Sequence, residues 1–217
     1  MEEIETSGAE SGGNSLGLST LVVSLGTLSS RILGLVRDIS IAYVFGATRV
    51  TDIFFVAYQI PSMFRKLLGE GALSSSVVPV YTDIKNNRGS AAAEKLAHAA
   101  FTWAILLVGG VVGLGIIFSN YLVAIIAPGF WGTAEFPLAV SLTRVMFPFL
   151  LMMSAAAVVM GLLHAHQRYA PSAFAPALLN LALIASIWGL ARRLGAEPTK
   201  QVWALAVGVL VGGFLQF

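Results

Sequence analysis

Between Leu96 and Ala127 the chain runs for 32 residues without a single Asp, Glu, Lys or Arg. About 20 apolar residues are enough to cross the hydrocarbon of a bilayer as a helix, and a water-soluble domain has little use for a longer run. The rest of the sequence agrees. Of its 217 residues 57% are hydrophobic and 11% charged, with a mean hydropathy of +0.82, against roughly 45–50% and about 25% in soluble domains. Too few polar side chains remain to cover a globule of this size. The segments of alternating polarity that mark a transmembrane β-barrel are missing from the sequence, so the fold expected is an all-α integral membrane protein.

Six apolar stretches order the chain: 16–45, 51–81, 96–127, 138–163, 173–191 and one starting near Val202. They predict a bundle of about six transmembrane helices. Residues 1–15, MEEIETSGAESGGNS, are acidic and rich in Gly and Ser, the composition of a disordered tail; a secretory signal would begin with positive charge. Residues 16–217 then form one transmembrane lobe. The 16 residues from Val202 to Phe217 fall short of the ~20 a crossing needs, so the last helix reads as truncated and the chain as the amino-terminal part of something longer. Lys85, Arg88 and Lys95 lie in the second loop and Arg168 in the fourth, whereas the third, APGFWGTAEFP, has neither Lys nor Arg. By the excess of Lys and Arg in cytoplasmic loops, the even loops and the amino terminus are cytoplasmic. Arg49 in the first loop and Arg192, Arg193 and Lys200 in the fifth run against this; the charge-free third loop decides.

Several functions are excluded early. With no cysteine there is no disulfide framework, thiolate nucleophile or Cys-based metal site. The formal charge of +2 becomes +6 once the four glutamates of the first ten residues are set aside. Those basic residues punctuate apolar runs instead of forming a patch with aromatics, so no nucleic-acid partner is expected. There is no HExxH, P-loop or DxxD motif, hence no enzyme, cofactor or metal is expected. His164 and His166 are two apart beside Arg168 in a loop and would point to opposite sides of a helix; interfacial solvation explains them better than a metal does. Gly109, Gly110, Gly113 and Gly115 form small-residue faces suited to close helix packing.

Chemistry concentrates in the first two stretches, which hold Arg31, Arg37, Asp38, Arg65, Lys66 and Glu70. A charge inside hydrocarbon costs from about 2.5 to over 10 kcal/mol, so these groups are expected to face a wet cavity. Arg31 and Asp38 are seven apart and share a helix face, while Arg37 points about 120° away from Arg31. Gly34 between them leaves room for a close approach. Lys66 and Glu70, four apart, can pair, which leaves Arg65 to seek another partner; Pro61 one turn earlier, with Gly69 and Gly71, predicts a kinked or loose helix. Together the six carry +2, which favours an anion, and the planar guanidinium fork suits phosphate oxygens. Two plainer accounts stay open: charges near helix ends snorkel to headgroups, and Arg can pair with Asp to tie helices together. They fit Arg49, Lys66 and Arg144 best. Asp52, after Thr51 at the start of a span, reads as an N-cap.

SRILGLVRD (30–38) and FGATRVTDIFFVAYQIPSMFRKLLGEGALSSSVVPVY (45–81) closely resemble the start of the MurJ family, formerly MviN, of bacterial lipid II flippases. PSAFAPALLN (171–180) and APGF (127–130) are similar to the same family. The resemblance implies the amino-terminal lobe of a MOP-type exporter, a multi-pass protein of the bacterial cytoplasmic (inner) membrane. Such a protein moves undecaprenyl-pyrophosphate-linked peptidoglycan precursor from the cytoplasmic to the outer leaflet by alternating access, with no covalent chemistry. Its partners would be lipid II, membrane lipid and a carboxy-terminal lobe of the same protein, without which residues 1–217 move nothing. The family's essential arginines fall on Arg31, Arg37 and Arg65, and its acidic residues on Asp38, Asp52 and Glu70. A related exporter of another polyprenyl-pyrophosphate glycan or drug, and a non-transporting scaffold for peptidoglycan synthesis, are the other two readings.

Overall fold

The computed structural model describes residues 3–68, 74–166, 168 and 170–216, with side chains described from Thr20 onward except at 67–78. Glu70 therefore lies outside the described residues. The regular elements are all helical: α1 (Glu3–Phe45), α2 (Arg49–Leu68), α3 (Ser74–Arg88), α4 (Ser90–Ile117), α5 (Ser119–Ile126), α6 (Phe136–Ala165), α7 (Ala170–Gly189) and α8 (Pro198–Leu215). Five stretches are long and apolar enough to span a membrane: Thr20–Phe45 of α1, then α4, α6, α7 and α8. α2 matches them in length but carries Arg49, Asp52, Arg65 and Lys66.

The boundaries differ from the apolar stretches in instructive ways. α1 is helical from Glu3, through the acidic segment that composition reads as a tail, and its part Thr20–Phe45 has span-like hydropathy. The second stretch is divided between α2 and α3. The long charge-free stretch is also two helices, because the chain breaks at Phe118 (φ −91°, ψ 12°) between α4 and α5. There the Ser119 hydroxyl donates to the Ile116 carbonyl (2.9 Å) and receives the Arg144 Nε–H of α6 (2.7 Å). Arg144 thus ties α6 to α5 through the Ser119 hydroxyl and the Asn120 amide. α8 begins earlier than Val202 because Pro198 supplies a first-turn φ and needs no N–H partner there.

α1 ends on Gly46, whose φ of +64° suits a residue without Cβ; its N–H still reaches the Ala42 carbonyl at 3.0 Å. The chain reverses within Gly46–Thr48. The Thr48 carbonyl accepts the N–H groups of Thr51 (3.0 Å) and Asp52 (3.2 Å), so the turn into α2 is closed at Thr48. Asp52 is not the N-cap. It stands exposed in the first turn of α2, where a carboxylate complements the positive helix end. At the same end of the bundle Arg49 faces Glu135 at 3.7 Å. The Thr133 side chain, a backbone hydrogen bond and then Arg49 hold the Glu135 carboxyl below its usual range.

α6 is the hub. It packs against α2, α3, α4, α5 and α8 and contributes the fully buried Leu142, Met146, Phe147, Phe149 and Leu150, which meet Ile53 and Ile60 of α2 and Leu205 of α8. α7 lies between α1 and α8. α1 leans on α7 and barely touches α2, while Leu21, Leu25, Leu28, Ile32, Leu35 and Ile39 remain exposed. An apolar surface of that kind suits lipid or another helix.

Close approach is achieved with glycine, though mostly not at the glycines predicted. A Cβ on Gly109, Gly110 or Gly113 of α4 would meet nothing within 4 Å. Only Gly115 of that set is pressed by a neighbour, the Phe147 ring. The tight seams lie elsewhere. A Cβ on Gly212 of α8 would stand 2.9 Å from the Leu179 Cα of α7, and one on Gly26 of α1 would stand 2.8 Å from the Ala173 Cβ of α7.

Candidate functional site

α1 and α2 are joined by the Gly46 turn but stand apart beyond it, and a cavity of about 600 Å³ opens beside them. Arg37 of α1 and Arg65 of α2 both line it. The remaining wall comes from Tyr58 of α2, from Met153, Met160, Gly161 and His164 of α6, from Ser172, Pro176, Leu179 and Asn180 of α7, and from Gln216 after α8. Ligand pockets commonly measure roughly 300–1,000 Å³. The wall is mainly apolar with a few convergent polar groups. Charge is felt strongly in such a place, because low-polarity surroundings screen it less than water does.

Arg37 is held in place from two sides. Its Nη1 donates to the Asn180 Oδ1 at 2.9 Å, and its Nε and Nη2 donate to the Asp38 Oδ1 at 2.9 and 2.8 Å. The guanidinium is thus half-buried, while the Asp38 carboxyl stays largely exposed. Asn180, itself buried, donates its Nδ2–H to the Ser30 carbonyl at 3.0 Å. One amide therefore binds a carbonyl of α1 and orients a cation of α1. What approaches Gly34 is this same residue, with the Asn180 Nδ2 3.5 Å from where a Gly34 Cβ would stand.

Of the six residues singled out in the sequence, Arg37 and Arg65 come together on one cavity, with Asp38 beside Arg37. Arg31 is exposed on α1 and does not line the cavity; Asp38 pairs with Arg37, not with Arg31. Asp52 is exposed at the far end of α2 from Arg65. Two residues of the cavity wall were not expected there. Asn180 is the lone amide within the apolar stretch 173–191, and a strong polar group in mid-span is a signal for a helix-to-helix contact. His164 belongs to the last turn of α6 and not to a loop; it faces the cavity, with its Nε2 2.7 Å from the Ser172 Oγ. His166 turns the other way and packs its ring, tilted, against Tyr81 with centroids 5.7 Å apart, as the two-residue spacing predicts. Among the described residues no group of His, Asp and Glu is arranged to hold a metal ion.

Asn180→Leu removes one partner from a buried carbonyl and one from a guanidinium. Loss of a buried partner costs about 1–3 kcal/mol. The expected result is a lowered unfolding temperature in detergent together with weaker binding of anions that enter the cavity, since Arg37 is no longer aimed.

Span-length helices beside a cavity with two guanidinium groups in its wall define a multi-pass helical membrane protein. Residues 41–217 match the family model described as Lipid II flippase MurJ, and the chain belongs to that family. It is 40% identical over 201 residues to the lipid II flippase MurJ of Burkholderia cenocepacia, a match covering 91% of this chain and 38% of that protein. It is 34% identical over 203 residues to a probable lipid II flippase MurJ of Aquifex aeolicus, covering 93% and 39%. A probable lipid II flippase MurJ of Buchnera aphidicola is 34% identical over 199 residues, covering 91% and 38%. The chain thus spans about two fifths of the length of the curated relatives it matches.

Proposed function

We propose that this chain supplies one wall of the substrate chamber of a lipid II flippase of the bacterial cytoplasmic membrane. Arg37 and Arg65 grip the pyrophosphate of the polyprenyl-linked precursor, Asp38 and Asn180 aim Arg37, and the polyprenyl tail stays in lipid. A second lobe, from the part of the relatives' length that this chain does not cover, closes the chamber. Rocking of the lobes carries the headgroup from the cytoplasmic to the outer leaflet, and no covalent bond changes. Arg31 and Asp52, exposed in this lobe, would join the site from the surface that the second lobe covers; Glu70 is carried only by the family resemblance. The amino terminus is taken as cytoplasmic on the Lys and Arg of the even loops. With that orientation the α6–α7 end, where His164 and Ser172 line the cavity, lies on the cytoplasmic side.

The observation that carries this reading is the pairing of Arg37 and Arg65 on one cavity among apolar helices, in a chain of this family. Two half-buried guanidinium groups in the wall of one cavity favour an anion there, and the planar fork of Arg suits phosphate oxygens. The test is reconstitution of the complete protein in liposomes with fluorescent lipid II in one leaflet. Transfer of the lipid to the other leaflet at a rate well above that of protein-free vesicles is the expected result. Tight binding with no transfer under any imposed gradient would overturn the transport reading in favour of a scaffold.

A further inference from the structure

The cavity holds one group that the proposed grip on pyrophosphate does not use. His164, half-buried in the last turn of α6, shares the cavity wall with Arg37 and Arg65, and its Nε2 lies 2.7 Å from the Ser172 hydroxyl at the start of α7. Its ring is therefore fixed against a neutral group that accepts or donates a hydrogen bond as required. The charged and titratable groups sharing this cavity are Arg37 from α1 and Tyr58 and Arg65 from α2; α7 and α8 contribute the uncharged Ser172, Asn180 and Gln216. Asp83, Lys85 and Arg88 of α3 and Glu94, Lys95 and His98 of α4, the other helices packed on this side of α6, are not among the lining residues. Among the described residues the cavity thus has no carboxylate in its wall.

We propose that His164, braced by Ser172, is a further anion-binding residue of this cavity and takes up a proton as a diphosphate enters. The proposal rests on the reading of the cavity as a pyrophosphate site. A dianion held beside the imidazole attracts a positive charge to it. Protonation of the imidazole and occupancy by the anion therefore favour each other, and by linkage each strengthens the other equally. Imidazole is the one side chain whose ordinary titration falls within the physiological range, so headgroup affinity rises as pH falls.

The test is calorimetric titration of the complete protein in detergent with farnesyl-diphospho-N-acetylglucosamine. This probe is a diphosphate diester whose own charge is constant between about pH 5 and pH 8, the range over which histidine titrates. Affinity should rise about tenfold on going from the upper to the lower end of that range, within the usual size of such couplings. Buffers of different ionisation enthalpy should register uptake of up to about one proton per ligand. His164→Gln should lose both the rise and the proton uptake. His164→Lys should bind tightly at every pH, and Ser172→Ala should keep a reduced pH response. His166→Gln should behave as wild type. Unchanged pH dependence in His164→Gln and Ser172→Ala, with binding still lost in Arg65→Gln, would overturn the role of His164 alone. Wild-type affinity in Arg65→Gln and Arg37→Gln would instead overturn the pyrophosphate site itself.

Discussion

Changing both Arg37 and Arg65 to Gln in the complete protein is expected to reduce lipid II affinity by roughly two to four orders of magnitude. Hydrogen bonds to charged groups contribute about 1.5–3 kcal/mol each, and every 1.4 kcal/mol is about tenfold in binding. The two guanidinium groups line one cavity, so neither is replaced by water as readily as an exposed group would be. Gln keeps most of the bulk and some hydrogen bonding, which isolates the loss of charge. Cells relying on this protein as their only flippase should stop dividing or lyse. Asp38→Asn should be far milder, because the carboxyl is largely exposed and Arg37 retains Asn180. Normal growth of the double variant, at normal protein level, would remove the cavity from consideration as the substrate site.

The second large effect concerns the seam between α7 and α8. Gly212→Val places a Cβ 2.9 Å from the Leu179 Cα and 2.6 Å from its Cδ1. The first of these is backbone, so no rotamer change relieves it and the helices must move apart. Overpacking commonly costs about 1–3 kcal/mol, and a branched side chain against a neighbouring helix axis belongs at or beyond the upper end. The expected result is a fall in the unfolding temperature in detergent large enough to lower the amount of protein recovered. Gly109→Ala on α4 is the control of opposite sign. Nothing lies within 4 Å of its Cβ, and Ala favours a helix over Gly by roughly 1 kcal/mol, so stability should hold or rise. If Gly212→Val is as stable as the wild type, the α7–α8 seam is not packed as described.

Much of the architecture was legible because hydropathy is additive along a chain: the first and fourth apolar stretches each fall within one helix, α1 and α6, and the fifth overruns α7 by two residues. What escaped depends on neighbours. Helix geometry alone put Arg31 with Asp38 on one face, yet Asp38 pairs with Arg37. The long Arg37 side chain is drawn round by Asn180, on a helix distant in sequence, and a single-helix projection cannot register that pull. The glycines fared similarly. Four glycines in seven residues mark α4 as the place for tight packing, whereas the contacts fall on Gly26, Gly115 and Gly212, since closeness is set by what the opposite helix presents. His164 reads as part of a polar loop because the segment HAHQRYAPS breaks the apolar run; α6 extends two residues into it, to Ala165, and His164 on that last turn lines the cavity.

Asn180 answers to two masters at once. A lineage that loses it must find, in the same step, a fresh acceptor for the guanidinium at 37 and a fresh donor for the carbonyl at 30. Gradual drift through single replacements is thereby obstructed. Positions 37 and 180, separated by 143 residues of chain, are bound to evolve as a pair, and a divergent relative with a new residue at one should carry a compensating change at the other.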